Sequence, residues 1–252
     1  MYLSHPQRGG RRPYQNRGLR LTQSRQSFSS FFRGEILVRA FLCFVVVGLL
    51  SAFISVPSAG ITSEQEQLLF DMNELDSTSL MVSTPRSAWK QGSMPYLYQT
   101  DPLWSTKPYG GDTVRVNGCG PTCLSMVYIY LTGDTSLDPG QMSAYADQGN
   151  YAPTGATEWS FMTRGASGLG IAGRAISPDV ETVTTALEAG TPVICAMRPG
   201  DFTTVGHYIV LAGIDDRGMV EVHDPNSQLR SAQGWRLDWV LRQTSNSWTF
   251  TV

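Results

Sequence analysis

At 252 residues, with 41% hydrophobic and 16% charged residues, the chain holds enough material for one well-cored domain with appendages, and too little for two comfortable domains. Its net charge of -2 is unevenly spread: residues 1–39 carry eight Arg against Glu35 alone, a surplus of +7, which leaves -9 on the remainder. A main domain this acidic argues against nucleic acid as its partner, because phosphate binding needs Lys and Arg clustered on a folded face.

Residues 1–34 mix Arg, Gln, Ser, Gly and Pro with little aliphatic content. They bury too little apolar surface to offset ordering entropy and are expected to be a disordered basic tail. From Ala40 to Ser63 there is no charged residue, and AFLCFVVVGLLSAFISV (residues 40–56) is apolar apart from Ser51 and Ser55. This pattern predicts a membrane-inserting helix within residues 35–59, touching the membrane through residues 36–57, either a retained anchor or a signal segment cleaved near Ser58-Ala59-Gly60. The Arg-rich flank belongs on the cytoplasmic side, which sends everything after the helix outside. Residues 60–93 are polar and without strong periodicity and read as a stalk, so the folded domain is expected over 94–252.

Within that domain a helix is expected from about Pro121 to Leu131, opened by proline, carried by Leu124, Val127, Tyr128 and Leu131, and ended by Gly133. Further helices are expected at Pro139–Gln148, Thr157–Ala166 and Val180–Glu188, the last with Ser177 and Asp179 as capping candidates. Strands follow at Val193–Met197, His207–Gly213, Met219–His223 and Trp248–Val252. Helices first and an antiparallel sheet afterwards predict an α+β fold. Gly168-Leu-Gly-Ile-Ala-Gly173 matches a dinucleotide-binding spacing, but it follows a helical stretch and sits in no βαβ unit, so it reads as a glycine-rich helix exit and turn.

Cys43, Cys119, Cys123 and Cys195 are too few and scattered for a disulfide framework. A zinc site needs three or four N or S ligands, and the only histidines are His5, His207 and His223, so no metal or other cofactor is implied. Gly118-Cys119-Gly120-Pro121 instead places a thiol at a helix start, where unpaired N–H groups and the helix dipole favour a thiolate, and the glycines would let a substrate backbone approach. The competing reading is a small buried hydrophobe, the common fate of a free cysteine and the one assigned to Cys123 and Cys195.

A nucleophilic cysteine needs a base that later serves as acid, and histidine suits neutral pH. His207 opens the apolar strand HYIVLAG beside a sheet end, whereas His223 is expected on a polar outer face with Glu221. The hairpin turn Asp215-Asp216-Arg217-Gly218 decides whether Asp224 accompanies His207. A turn centred between Asp215 and Asp216 sets His207 opposite Asp224. Centred one residue later, it sets Asn226 opposite His207, with Asp224 a same-face diagonal neighbour about 7 to 8 Å away. The frame between these two, reached through a bulge at Gly218, turns Asp224 to the other face. An oxyanion hole requires donors aimed at the carbonyl oxygen, for which the Cys119 N–H and the Gln99 side-chain amide are the candidates.

The segments MPYLYQTDPLW, GCGPTCLSMV, GHYIVLAG and VHDPNS, in that order, resemble those of papain-like cysteine peptidases related to the bacteriocin-leader-processing (double-glycine) peptidases, especially their stand-alone, membrane-attached bacterial branch. The resemblance covers about residues 94–252. It implies a papain-like fold, helical half first and antiparallel sheet second, preceded here by one transmembrane helix. It also implies Gln99 as oxyanion donor, Cys119 as nucleophile, His207 as general base and Asp224 as orienting carboxylate. Transporter-linked members place the glutamine six residues before the cysteine, where this chain has Thr113, and an acidic residue just before it, where this chain has Gly118. No GxxxxGK[ST] loop is present, so the chain carries no transporter ATPase of its own. The expected function is extracytoplasmic hydrolysis of peptide or protein substrates. The alternatives are a cell-wall peptide amidase or acyl transferase with the same triad, and a surface-tethered peptide-binding domain without turnover.

Overall fold

Residues 81–252 are those described by the computed structural model. The basic tail, the membrane segment at 35–59 and the stalk up to residue 80 lie outside the described residues. Among the described residues, no helix is long and apolar enough to cross a membrane. The stalk does not extend to residue 93 as expected. Met81 and Trp89 are buried, Ser83 N–H donates to Asp101 Oδ2 (2.8 Å), and Thr84 N–H donates to the Tyr96 carbonyl (2.8 Å). A polar composition concealed these few anchoring side chains, which tie residues 81–93 to the domain.

The domain opens with β1 (Pro108–Tyr109), β2 (Asp112–Thr113), α1 (Val114–Asn117), α2 (Cys119–Thr132) and α3 (Pro139–Gln148). Then come a 3-10 turn at Trp159–Met162, α4 (Arg164–Gly168), β3 (Ala172–Ile176), α5 (Val180–Glu188) and β4 (Val193–Met197). It closes with β5 (His207–Ile214), β6 (Met219–His223), α6 (Gln228–Ser231), β7 (Gly234–Arg236), α7 (Leu237–Arg242) and β8 (Thr244–Thr251). A six-stranded, wholly antiparallel sheet runs β3-β8-β4-β5-β6-β7, which makes the fold α+β. Helix α2 is buried from Gly120 to Ile129 on every side, so it is apolar all round and not striped. It packs with Ile194, Ala196, Tyr208, Val210, Trp248 and Phe250 of the sheet in one core. The alternating strand residues Val193, Cys195, Met197, Ile209 and Leu211 join Val183, Leu187, Leu237 and Val240 of α5 and α7 in a second core.

Gly133 ends α2 in the left-handed region (φ 73°), its N–H returning to the Ile129 carbonyl. Asp138 and Asp179 cap α3 and α5. The single helix expected over Thr157–Ala166 is broken at Thr163 (φ -113°, ψ -74°), because the Ser, Thr and Gly content gives little helix propensity and Phe161 and Met162 are both drawn into the core. The glycine-rich turn at Gly170 is present (φ 79°), but the last glycine of the motif lies in β3. A Cβ on Gly173 would collide with the Met162 carbonyl. Strand β3, Ala-Gly-Arg-Ala-Ile, is largely exposed and built mostly of small residues, so it lacks a strand signal. Likewise β8 starts at Thr244 and not at Trp248, because its first turns of sequence, Thr-Ser-Asn-Ser, bury hydroxyl groups against β4 and β3: Ser245 Oγ donates to the Ala196 carbonyl and Ser247 Oγ to that of Ile176.

The β5–β6 hairpin changes register along its length. Near the turn, Ile214 faces Val220 and Gly213 faces Glu221. An extra residue, Ala212, then bulges out of β5, and beyond it Leu211 faces Val222 and Val210 faces His223. Carried unchanged from the turn, the first frame would set Asp224 opposite Val210, on the face away from His207. The bulge restores the frame in which Asp224 is the same-face diagonal neighbour of His207.

Helix α2 begins against the segment holding Thr157, whose hydroxyl pairs with Tyr109 Oη (2.7 Å) and whose carbonyl accepts from Tyr208 Oη (2.9 Å). A Cβ on Gly120 would stand 2.6 Å from Thr157 Oγ1 and 2.8 Å from its Cβ. Gly120→Ala is therefore expected to lower stability by about 1 to 3 kcal/mol. Urea unfolding of the two proteins checks this, and an unchanged midpoint would contradict the close packing.

Candidate active site

Cys119 is the first residue of α2, with Gly118 as its N-cap (φ -80°, ψ 6°). The Cys119 and Gly120 N–H groups belong to the first turn, which has no intrahelical acceptors. Both flanking glycines are closely packed: a Cβ on Gly118 would meet the Val114 carbonyl and one on Gly120 would meet Thr157. Cys119 is partly exposed, whereas Cys123 and Cys195 are buried. Burial pushes the Cys123 thiol well up and that of Cys195 to about 12, so both stay protonated.

Across the groove from Cys119, His207 opens β5. Its Nε2 lies 2.7 Å from Asp224 Oδ1, and the ring lines the same groove as Cys119, whose thiol adds to the electrostatics of the imidazole. Burial alone would lower the His207 pKa. The Asp224 carboxylate outweighs it, with Cys119 adding to the effect, and lifts the value from 6.5 to about 10. Asp224 itself is fully buried, which on its own would raise its pKa, yet the His207 and Arg230 cations hold it below the ordinary carboxylate range.

Arg230 is a site residue that sequence reasoning missed. Its Nε donates to Asp224 Oδ2 (2.6 Å). Helix α6 delivers it: Ser227 Oγ accepts from the Arg230 N–H (3.0 Å), and Ser231 Oγ accepts from the Asp224 N–H (2.9 Å). The signal was the run Asp-Pro-Asn-Ser after β6, an Asx turn with a capping serine that folds the chain back on the aspartate.

His223 does not sit on a polar outer face as expected. It is buried beneath Tyr96, with ring centroids 3.8 Å apart, its Nδ1 on the Pro95 carbonyl (3.2 Å) and its Nε2 on Glu221 Oε1 (3.1 Å). The segment before Gln99 covers the sheet here and supplies the missing burial. Gln99 reaches the groove, but its Nε2 donates to the Arg115 carbonyl (2.7 Å), leaving one amide N–H for a substrate. Its Oε1 is buried without a hydrogen bond among the described residues.

Cys119 and His207 lie where two cavities adjoin, of about 350 and 690 Å³. The first is walled by Gln99, Phe202, Asn226 and Arg230, the second by Gly111, Thr154, Trp159, Met197 and Tyr208. Val116 and Val205, both exposed, rim the two together. A partly exposed thiol, an imidazole and a carboxylate in line on an open groove are the apparatus of nucleophilic acyl transfer.

Residues 92–251 match the Peptidase_C39 like family. The chain belongs to this family. Membership makes it a cysteine peptidase, a hydrolase acting on peptides. Among solved structures it is similar to the peptidase domain of Streptococcus ComA, described as a bi-functional ABC transporter involved in a quorum-sensing pathway. That match has 16% identity and a TM-score of 0.40, and covers 53% of this chain and 89% of that one. No curated protein matches the chain.

In this Peptidase_C39-like domain the raised pKa of His207 carries a stability consequence. A histidine whose folded pKa exceeds its unfolded value stabilises fully below the unfolded pKa, and that contribution is lost as pH climbs toward the folded one. The thermal midpoint should fall between pH 6.5 and about 10, and fall less in His207→Asn. Equal slopes in the two proteins would show that the imidazole gains nothing from its partners.

Proposed function

We propose that this chain is an extracytoplasmic cysteine peptidase that hydrolyses peptide bonds through a Cys119–His207–Asp224 triad and an acyl-enzyme. The observation that carries the reading is that His207, held by Asp224 Oδ1 at 2.7 Å, and Cys119 line one groove. The Cys119 sulfur, as thiolate, attacks the scissile carbonyl carbon, whose oxygen takes up the negative charge. The Cys119 N–H and the remaining Gln99 amide N–H stabilise that oxygen. As the C–N bond breaks, the imidazolium gives its Nδ1 proton to the leaving amine and becomes neutral. Water then loses a proton to Nδ1 and attacks the thioester, and the Cys119 thiolate departs with the acid as product. Throughout, the Nε2–H remains on Asp224, which fixes the tautomer and stabilises the imidazolium. No step calls for a metal or an organic cofactor.

The extracytoplasmic setting rests on the Arg-rich flank before the apolar stretch 40–56, which would leave the peptidase domain outside a cell membrane. Whether that segment is kept or removed is answered by the intact mass of the exported protein: a retained anchor preserves the full-length mass, and a species beginning near residue 60 means cleavage.

The reading predicts turnover of a peptide library that is abolished in Cys119→Ala and kept in Cys123→Ala. In Gln99→Ala the loss in kcat should be about 100-fold, the usual cost of one oxyanion donor. Undiminished cleavage by the Cys119 variant would refute the triad. Cleavage of purified wall fragments in preference to linear peptides would make the substrate a cell-wall peptide.

A further inference from the structure

We propose that Arg230 is a positioning residue of the proposed site, whose charge on the far oxygen of Asp224 balances the buried cluster so that the thiolate–imidazolium pair forms. The inference rests on the triad reading and adds a member to it. Asp224 has two acceptor oxygens, both on a fully buried side chain. Oδ1 takes His207 Nε2 (2.7 Å) and the Asn226 N–H (2.8 Å), and Oδ2 takes Arg230 Nε (2.6 Å). Arg230 Nε is the donor that Oδ2 has among the described residues, and a buried carboxylate oxygen left without one is strongly disfavoured.

The charges around the pair can be enumerated element by element. Helix α2 presents Cys119 and, one turn on, Cys123, which burial keeps protonated. Tyr109 from β1 and Tyr208 from β5 turn their hydroxyls to Thr157 beside the helix start, and burial keeps both phenols neutral. β5 supplies His207, the segment after β6 supplies Asp224, and α6 supplies Arg230. Within the cluster four groups carry charge in the active form, thiolate, imidazolium, carboxylate and guanidinium, and they sum to zero. Outside it, Asp201 and Asp112 stand on the walls of the two cavities, with Asp201 Oδ2 engaged by Trp239 Nε1 (2.5 Å) and Gln243 Nε2 (2.9 Å). Deleting the guanidinium leaves a net negative cluster, which opposes ionisation of the thiol and moves both limbs of the reactivity profile to higher pH. Arg230 is fixed well enough for this, because Ser227 caps its N–H and its carbonyl accepts from Trp235 Nε1 (2.9 Å).

The test is the pH dependence of Cys119 alkylation by iodoacetamide in the full chain in detergent, followed by peptide mass spectrometry. It needs no substrate. In Arg230→Gln the acid-side midpoint should rise by on the order of one pH unit, while Arg230→Lys, which keeps the charge, stays close to the wild-type profile. If Arg230→Gln loses its native near-ultraviolet circular dichroism, Arg230→Met, whose unbranched stem fills the same slot, replaces it. A folded Gln or Met variant that superimposes on wild type overturns the proposal and leaves Arg230 a wall of the groove. A Lys variant shifted as far as Gln overturns it too, since charge would then not be the agent. Wild-type Cys119 reacting only as an ordinary thiol would sink the triad reading itself, an outcome separable from the other two.

Discussion

Burial of the Asp224 carboxylate is tolerated because both of its oxygens meet charged donors, and that one ion cluster organises the site. It draws the imidazole of His207 from one strand and the guanidinium of Arg230 from a short helix onto a single point. Buried charges of this kind add little net stability, since desolvation consumes most of the Coulomb gain, but they fix geometry sharply because any misplacement leaves a charge unpaired. The His207 ring is thereby held through Nε2, and it shares its groove with Cys119, the one cysteine among the described residues that is not buried.

Bringing thiol and imidazole together is the work of two separate packing solutions. The helical half sets Cys119 by wedging Gly120 against Thr157, and the sheet half sets His207 by burying the β4–β5 pair on both faces. Tyr208 links them: it neighbours His207 in sequence, and its hydroxyl holds the carbonyl of the threonine on which the helix start rests. The bulge at Ala212 is the third device, since the frame set by the turn would otherwise carry Asp224 to the wrong face.

Much of this was legible in the sequence where local chemistry is strong. A proline in the first turn and a glycine at the end bracket α2, and continuous apolar runs delimit β4 and β5 because strands buried on both sides need no alternation. Cys119, His207, Asp224 and Gln99 were each named from residue type and placement; Cys119, His207 and Gln99 line one groove, and Asp224 is buried behind His207. What remained hidden depends on tertiary context. Strands β3 and β7 lie at the sheet edges, are short and largely exposed, and carry no alternating pattern. The fate of His223 depends on Tyr96, which is remote in sequence. Arg230 carries no signal of its own in the sequence, and only the fold of α6 brings it onto Asp224. The amide of Gln99 is shared with the Arg115 carbonyl, a backbone contact that no residue pattern announces.

The central claim is that the Cys119 sulfur and the His207 ring form one ionic unit. Its most direct measurement is the ultraviolet absorbance of the thiolate at neutral pH, taken as the difference between wild type and Cys119→Ala and repeated in a His207→Asn background. The account predicts a thiolate band from Cys119 that vanishes when His207 is replaced. A band absent from the wild type, or undiminished without the imidazole, would contradict it.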